Sequence, residues 1–258
     1  MNNGNRIETK VGIVVPTMGT RNEMLIQCLS SIRSYGLVHI AIVAPDVHNA
    51  VATIDSRYYD MMIQDPETGL VDAINLGLNS MPKEIVYLNW LGDDDLLEPD
   101  TLSLFLEELE QDEHVSLVYG NCTYINESGS KVWKNSFGQF AARILKFGPC
   151  LIPQPGALFR RSTFLEVGGL RSDYGWAFDY DLFVRFADKG KIKYIDCDVA
   201  SFRWHSNSLT VSQRKKSVNE ASRVRMSNYS KGTKALAFVW EPIVKLATLH
   251  APKLFERR

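Results

Sequence analysis

Apolar residues fall along this chain in short unbroken runs, separated by stretches in which they recur every three or four positions. Val11 to Val15 is one such run, ending at Pro16, and predicts a strand buried on both faces. After a polar loop, Thr17 to Asn22, the residues Leu25, Cys28, Leu29 and Ile32 keep helical spacing between Met24 and Tyr35, with Gly36 placed to cap the helix. His39 to Ala44 predicts a second buried strand, stopped by Pro45-Asp46. The alternation continues with a helix over Val71–Asn79, a strand over Ile85–Leu88, an amphipathic helix over Asp100–Leu109 introduced by Pro99, and a strand over Ser116–Tyr119.

Strands alternating with helices imply βαβ units and a mostly parallel central sheet flanked by helices, an α/β architecture. In such sheets ligands bind where loops leave the carboxyl ends of the strands. Three loops do so here, beginning at Pro16, Pro45 and Asn89. From about Lys131 the pattern is less regular. Val132 to Phe147 is mixed, and Leu151 to Phe159 reads as an irregular approach to a strand. Tyr180 to Lys189 has helical spacing, while Ile192–Ile195 and Ala200–Arg203 read as short strands. The remainder is basic and helix-prone.

Candidate chemistry concentrates at four places. Asp93, Asp94 and Asp95 directly follow an apolar strand, where three repelling carboxylates suit a hard divalent cation that takes oxygen ligands. An exposed acidic turn is the other reading of the same residues. Asp179 and Asp181 open a predicted helix among aromatics. A partly buried carboxylate there suits a general base, and helix capping is the alternative. His205 sits between a strand and a polar loop, as a ligand or as a surface histidine. The segment Gln64 to Gly77 gathers polar groups before and along a helix start, which a loop with a cap also explains.

Each signal is weak alone; their order is specific. From about Val11 to Thr210 the chain resembles the family 2 glycosyltransferases of the GT-A fold, in particular the bacterial cell-surface polysaccharide type. The resemblance is carried by VGIVVPTMGTRNEMLIQCLSSI, QDPETGLVDAINLGL, YLNWLGDDDLLEPDTL, VYGNCTYINESG, IPQPGALFRRSTFLEVGGL, FDYDLFVRF and FRWHSNSLT. It implies a GT-A domain over 1–212, with a nucleotide-binding half of about 1–120 and an acceptor half of about 121–212. Residues 213–258 follow as a helical extension. Pro16 and Thr17 would line the donor-nucleotide pocket, Asp46 would read the base, and Asp72 and Asn75 would border the nucleoside. Asp93 and Asp94 would reach the ribose, with Asp94, Asp95 and His205 on an Mn²⁺ or Mg²⁺ ion. Asp179 would be the catalytic base. Two departures stand out: Ala44-Pro45-Asp46 replaces the usual Asp-Asp-Gly-Ser-like turn, and Phe178 replaces a Glu common before the catalytic Asp.

The implied activity is inverting, metal-dependent transfer of a sugar from a nucleotide-diphosphate donor, a UDP-sugar favoured, to a glycan or lipid-linked acceptor. A nucleotidyltransferase would show a glycine-rich basic loop after the first strand, where PTMGTRNE has one Gly and one Arg. A non-catalytic nucleotide-sugar scaffold would not need Asp95 and Asp179.

Charge changes the picture only when it is divided. The chain of 258 residues has a formal net charge of -1, which excludes a bulk polycation for nucleic acid. From Gln213 onward there are 11 Lys+Arg and 3 Glu, against 18 Lys+Arg and 27 Asp+Glu before it. A body of -9 thus carries a tail of +8, in which Leu236, Phe238, Val239, Trp240, Ile243, Val244, Leu246 and Leu249 supply an apolar component. Such a tail suits peripheral contact with an anionic membrane leaflet, packing on the domain, or a homodimer contact. No nucleic-acid motif accompanies it. The N-terminus is polar, and Cys28, Cys122, Cys150 and Cys197 form no CxxC pair, so reduced thiols in a cytoplasmic chain are expected, peripheral to the inner face of the membrane if the tail binds it.

Overall fold

The computed structural model describes residues 10–36, 38–47, 54–98, 101–204 and 213–255, with side chains to residue 250. Its first half follows the apolar pattern in β1 (Val11–Pro16), α1 (Asn22–Arg33), β2 (Val38–Ala44) and α2 (Leu70–Ser80), adds a strand the pattern did not announce, β3 (Met61–Gln64), and sets β4 (Tyr87–Trp90) two residues beyond the expected Ile85–Leu88. Next come β5 (Leu96–Leu97), α3 (Leu102–Gln111), β6 (Val115–Ile125), β7 (Lys131–Asn135), α4 (Gln139–Ile144), β8 (Ala157–Arg160) and α5 (Arg161–Glu166). The chain closes with α6 (Phe178–Phe186), β9 (Lys191–Arg203), α7 (Arg214–Asn228) and α8 (Lys231–Phe255). Gly36 takes a left-handed φ of 81° after α1, the geometry a glycine permits at a helix end.

Among the described residues nine strands form one sheet in the order β3-β2-β1-β4-β8-β6-β9-β5, with β7 paired to β6 over Cys122–Ile125, beyond the part of β6 that pairs with β8. The β1–β4 region is parallel as expected. Beyond it the sheet is mixed, because β8 runs antiparallel to both β4 and β6, and β5 antiparallel to β9. The α/β architecture is therefore that of a mixed sheet, parallel throughout only over β3-β2-β1-β4. The irregular approach from Leu151 leads the chain into β8, which runs directly into α5 at Arg161.

Burial alternates along β1: Val14 joins one core, with α2 and α6, whereas Ile13 and Val15 join the other, with α1 and α3. Both sheet faces are thus covered, which is why β1 and β2 read as continuous apolar runs. The acidic loop leaves β4 at the centre of this sheet, so its carboxylates emerge between two packed layers. Cys28 and Cys122 are buried, Cys150 and Cys197 are partly buried, and all four thiols are free.

Helix α2 lies so close to the sheet that a Cβ on Gly77 would stand 2.6 Å from Val14 Cγ1 and 3.0 Å from Val43 Cγ2. Only the absence of a side chain permits that approach. Gly77→Val is expected to cost about 1–3 kcal/mol through overpacking, or more if α2 must shift. Urea unfolding at equilibrium checks this, and an unchanged midpoint would refute the close contact.

Candidate active site

The loops after β1 and β4, the approach to β8, the start of α6 and both C-terminal helices surround one open cleft of about 1210 Å³. Pro16, Thr17, Asp93, Asp94, Asp95 and Asp179 all line it. The carboxyl-end location follows from the fold, since β1 and β4 are parallel neighbours whose loops emerge side by side.

The acidic triplet is buried and held from three directions. Thr17 Oγ1 donates to Asp93 Oδ2 at 2.6 Å. The Arg21 guanidinium spans the pair, one nitrogen on Asp93 and the other on Asp94. Asp95 accepts the backbone N–H of Arg203 at 3.0 Å. The Arg203 side chain, itself buried, donates to the carbonyls of Asp94 at 2.9 Å and Glu127 at 2.8 Å. Burial, then the charge of Asp94, pushes the Asp95 carboxyl well above the usual range, and burial likewise raises Asp93 despite Thr17 and Arg21. Among the described residues no group of three His, Cys, Asp or Glu side chains forms a ready metal cage.

Asp179 stands in the first turn of α6, half-buried, with its Oδ1 accepting Tyr180 N–H at 2.7 Å. Burial pushes its pKa up to about 6. Phe178 beside it packs on Trp90, ring centroids 6.1 Å apart, which couples the helix start to the strand that carries the triplet. Asp181 has a different part: fully buried, it pairs with Arg185 at 2.7 Å and is structural.

Three expected donor-side residues lie outside the cleft lining. Asp46 is exposed at the turn after β2, although Pro45 before it does line the cleft. Asp72 is half-buried in the first turn of α2. Asn75 uses its amide on the backbone of Leu170, donating at 2.9 Å and accepting at 2.9 Å, so it fastens the turn after α5 rather than facing the cleft. His205 lies outside the described residues.

Several residues the motifs did not single out shape the site. Arg21 is the one base in the loop after β1, which parallel pairing of β1 with β4 brings beside the acidic triplet. Gln154 donates to Trp90 O at 2.7 Å and Asn89 Oδ1 at 3.1 Å, tying the β8 approach to the end of β4. Tyr124, Phe202 and Trp204 form an aromatic edge of the cleft, with Tyr124 centroids 5.3 and 5.6 Å from the other two.

The largest omission is Glu220, the lone acid of the basic helix α7. Its buried carboxylate accepts the backbone N–H groups of Gly175, Trp176 and Ala177 at 3.2, 2.7 and 3.1 Å. These donors lie just before α6, so Glu220 fixes the segment from which Asp179 projects. Removing it strands buried donors. Glu220→Ala is expected to cost on the order of 3 kcal/mol, read as a lower midpoint in denaturant; Glu220→Gln, which keeps one acceptor oxygen, should lose less. Equal stability of the alanine variant and the parent would refute this capping.

Comparison with known proteins agrees with this geometry. The profile of the family described as "Glycosyl transferase family 2" matches residues 13–168. A chondroitin synthase from Pasteurella multocida (strain Pm70) is 26% identical over 178 residues, 66% of this chain and 18% of the synthase. The chain thus spans less than a fifth of that relative's length. In fold it is similar to S. aureus TarS 1–349 in complex with UDP-GlcNAc, with a TM-score of 0.64 at 12% identity over 88% of this chain and 70% of that one. The mannosyltransferase PcManGT from Pyrobaculum calidifontis, in complex with GDP-Man and Mn²⁺, gives a TM-score of 0.65 at 14% identity over 95% and 74%. The mixed sheet with its flanking helices is a GT-A fold. With more than half of its length matched by the family profile, the chain belongs to glycosyl transferase family 2.

Proposed function

We propose that this chain transfers a sugar from a nucleotide-diphosphate donor, a UDP-sugar in the first instance, to a glycan or lipid-linked acceptor in surface polysaccharide synthesis, with inversion at the anomeric carbon. One observation carries the reading. A buried acidic triplet and a half-buried aspartate with a pKa of about 6 share a single cleft at the carboxyl ends of the strands. The UDP-GlcNAc and GDP-Man held by the two structural neighbours support the donor class.

A divalent cation, Mn²⁺ or Mg²⁺, is part of the proposal, and the residues fit one. Three buried carboxylates stand side by side at the cleft, and burial, with the charge of Asp94 second, pushes the Asp95 carboxyl up. A cation that takes one or two carboxylates and completes its shell with diphosphate oxygens suits that set better than one needing a full protein cage. Asp94 and Asp95 would hold it, with His205 as a further ligand. Asp93, fastened by Thr17, would serve the ribose. When bound, the ion would neutralise charge on the departing diphosphate.

The chain's own residues do the rest. Asp179 takes the proton of the acceptor hydroxyl as its oxygen bonds to C1 of the sugar and the C1–phosphate oxygen bond breaks. Attack opposite the leaving group inverts C1, and a single base suffices. Trp176 and Phe178 flank Asp179 in the cleft wall and keep its surroundings apolar, which holds its pKa near the working range. Arg21 orients the triplet, and the segment Pro149 to Pro155 lines the cleft with Cys150 near Asp179.

Two tests follow. Asp179→Asn should lower transfer by at least about a hundredfold while donor binding persists. In the parent, kcat/KM should rise with pH through about 6 and then level. Near-parental turnover of the variant would refute the base assignment. The same substitution has a stability sign. Asp179 stays protonated in the folded chain up to about 6, above its ordinary 3.8. Folding stability is therefore lost as pH rises through that window. Asn carries no charge, so the variant should be more stable than the parent above pH 6, by up to about 3 kcal/mol, and equal to it below the ordinary carboxylate pKa.

The second test is thermal unfolding with UDP-, GDP- and dTDP-sugars, with and without Mn²⁺. A true donor should raise the melting temperature, and Mn²⁺ should enlarge that shift in the parent but not in Asp95→Asn. A full donor shift without metal would remove the cation from the proposal.

A further inference from the structure

Helix α8 is covered on one face and bare on the other. Ala237, Glu241, Val244 and Thr248 recur at helical spacing on the face turned to the protein. Ala237 and Glu241 are buried, and Thr248 lines the cleft. A half-turn away, Leu236, Val239, Ile243 and Leu246 form a stripe with exposures from 59% to 65%. Gly232, Ala235 and Ala247 fall within or beside the same stripe, and no charged residue interrupts it. Lys231, Lys234 and Lys245 lie with Phe238, which is 72% exposed, on the flank between the stripe and the covered face. Glu241, the one acid of α8, is on the covered face and bonded to Arg225 at 2.6 Å.

We propose that this stripe is a docking surface for an anionic lipid bilayer, with α8 lying in the plane of the interface. Four bulky aliphatic side chains in line, a projecting Phe238 and an edge of lysines are the two components such binding needs: apolar area for the acyl boundary and cations for the headgroups. Lysine stems can lie along the apolar region while their ammonium groups reach the phosphates. The charge pattern argues against a second copy of this chain on the same face. Two-fold pairing would set lysine-flanked edges together with no exposed carboxylate of α8 to answer them. Among the described residues no helix is long and apolar enough to cross a membrane, so the contact is peripheral.

Placement gives the contact a consequence. Thr248 lines the cleft from the opposite face, so a bilayer on the stripe lies about one helix diameter, ~10 Å, from the cleft wall. A lipid-linked acceptor would then present its headgroup sugar close to Asp179. This consequence rests on the glycosyltransfer reading; the surface contact does not.

The experiment is flotation of the full 258-residue chain with phosphatidylcholine vesicles, with and without phosphatidylglycerol. Binding is expected only to the anionic vesicles and should weaken as salt rises. The triple variant Leu236→Ser, Val239→Ser, Ile243→Ser should bind at least about tenfold more weakly. The pair Lys231→Glu, Lys234→Glu should also lose binding. Circular dichroism and the melting temperature confirm that each variant is folded, and donor-induced thermal shifts should be unchanged, because none of these residues touches the cleft. Failure of the parent to float with anionic vesicles overturns the proposal. So does light scattering that shows a dimer broken by the serine variant while vesicle binding is absent. Flotation that survives both variants overturns the assignment to this stripe.

Discussion

Three adjacent carboxylates, Asp93, Asp94 and Asp95, are held out of water and against one another at the end of β4, where burial and the charge of Asp94 push the Asp93 and Asp95 carboxyls up. Much of the surrounding structure answers that repulsion. Thr17 and Arg21 reach the triplet from the loop after β1, which parallel pairing of β1 with β4 brings alongside. Arg203 reaches it from the end of β9, and its guanidinium bonds the carbonyls of Asp94, Asn126 and Glu127 together. The strand order and the acidic loop are therefore not independent features. The sheet must deliver two arginines from opposite sides for the triplet to be tolerated.

The elements around that constraint differed in how plainly the sequence announces them. Strands β1 and β2 are covered on both faces, so they appear as unbroken apolar runs with proline stops. Strand β3 is a four-residue edge strand with one neighbour and alternating exposure, too short to stand out. Strand β6 runs from Val115 to Ile125 although polar Asn121 and Thr123 interrupt its pattern, because both are buried and Gly120 lets β9 approach within 2.7 Å of where its Cβ would be. The two short strands expected near the end are one strand, β9, whose pairing to β6 shifts register.

The site divides in the same way. Consecutive carboxylates and an aspartate at a helix start are local signals, and the structure brings them into one cleft. Asn75 is also a local signal, but its partner is Leu170, 95 residues away. Glu220 and Gln154 have no local signature, because their value lies in backbone groups of distant segments. A side chain whose function is to bond main-chain atoms elsewhere leaves no spacing to read, except that an isolated acid in a basic helix asks for a partner.

That point bears on the tail. Its excess of eight positive charges is not a uniform coat. Arg225 is buried against Glu241 and donates to Gly148 O at 3.1 Å, Arg214 bonds the carbonyls of Thr248 and Leu249, and Arg223 stacks over Tyr174. These arginines are spent on packing α7 and α8 against the body and each other, where the fork of a guanidinium suits carbonyls and carboxylates. Among the described side chains, Lys231, Lys234 and Lys245 of α8 instead lie beside the apolar stripe. Arginine inside and lysine at the rim is the division expected when one face of a segment is fixed to a protein and the other meets a charged, fluid surface. The same helices wall the cleft that Asp179 lines, so whatever holds them in place also shapes that wall.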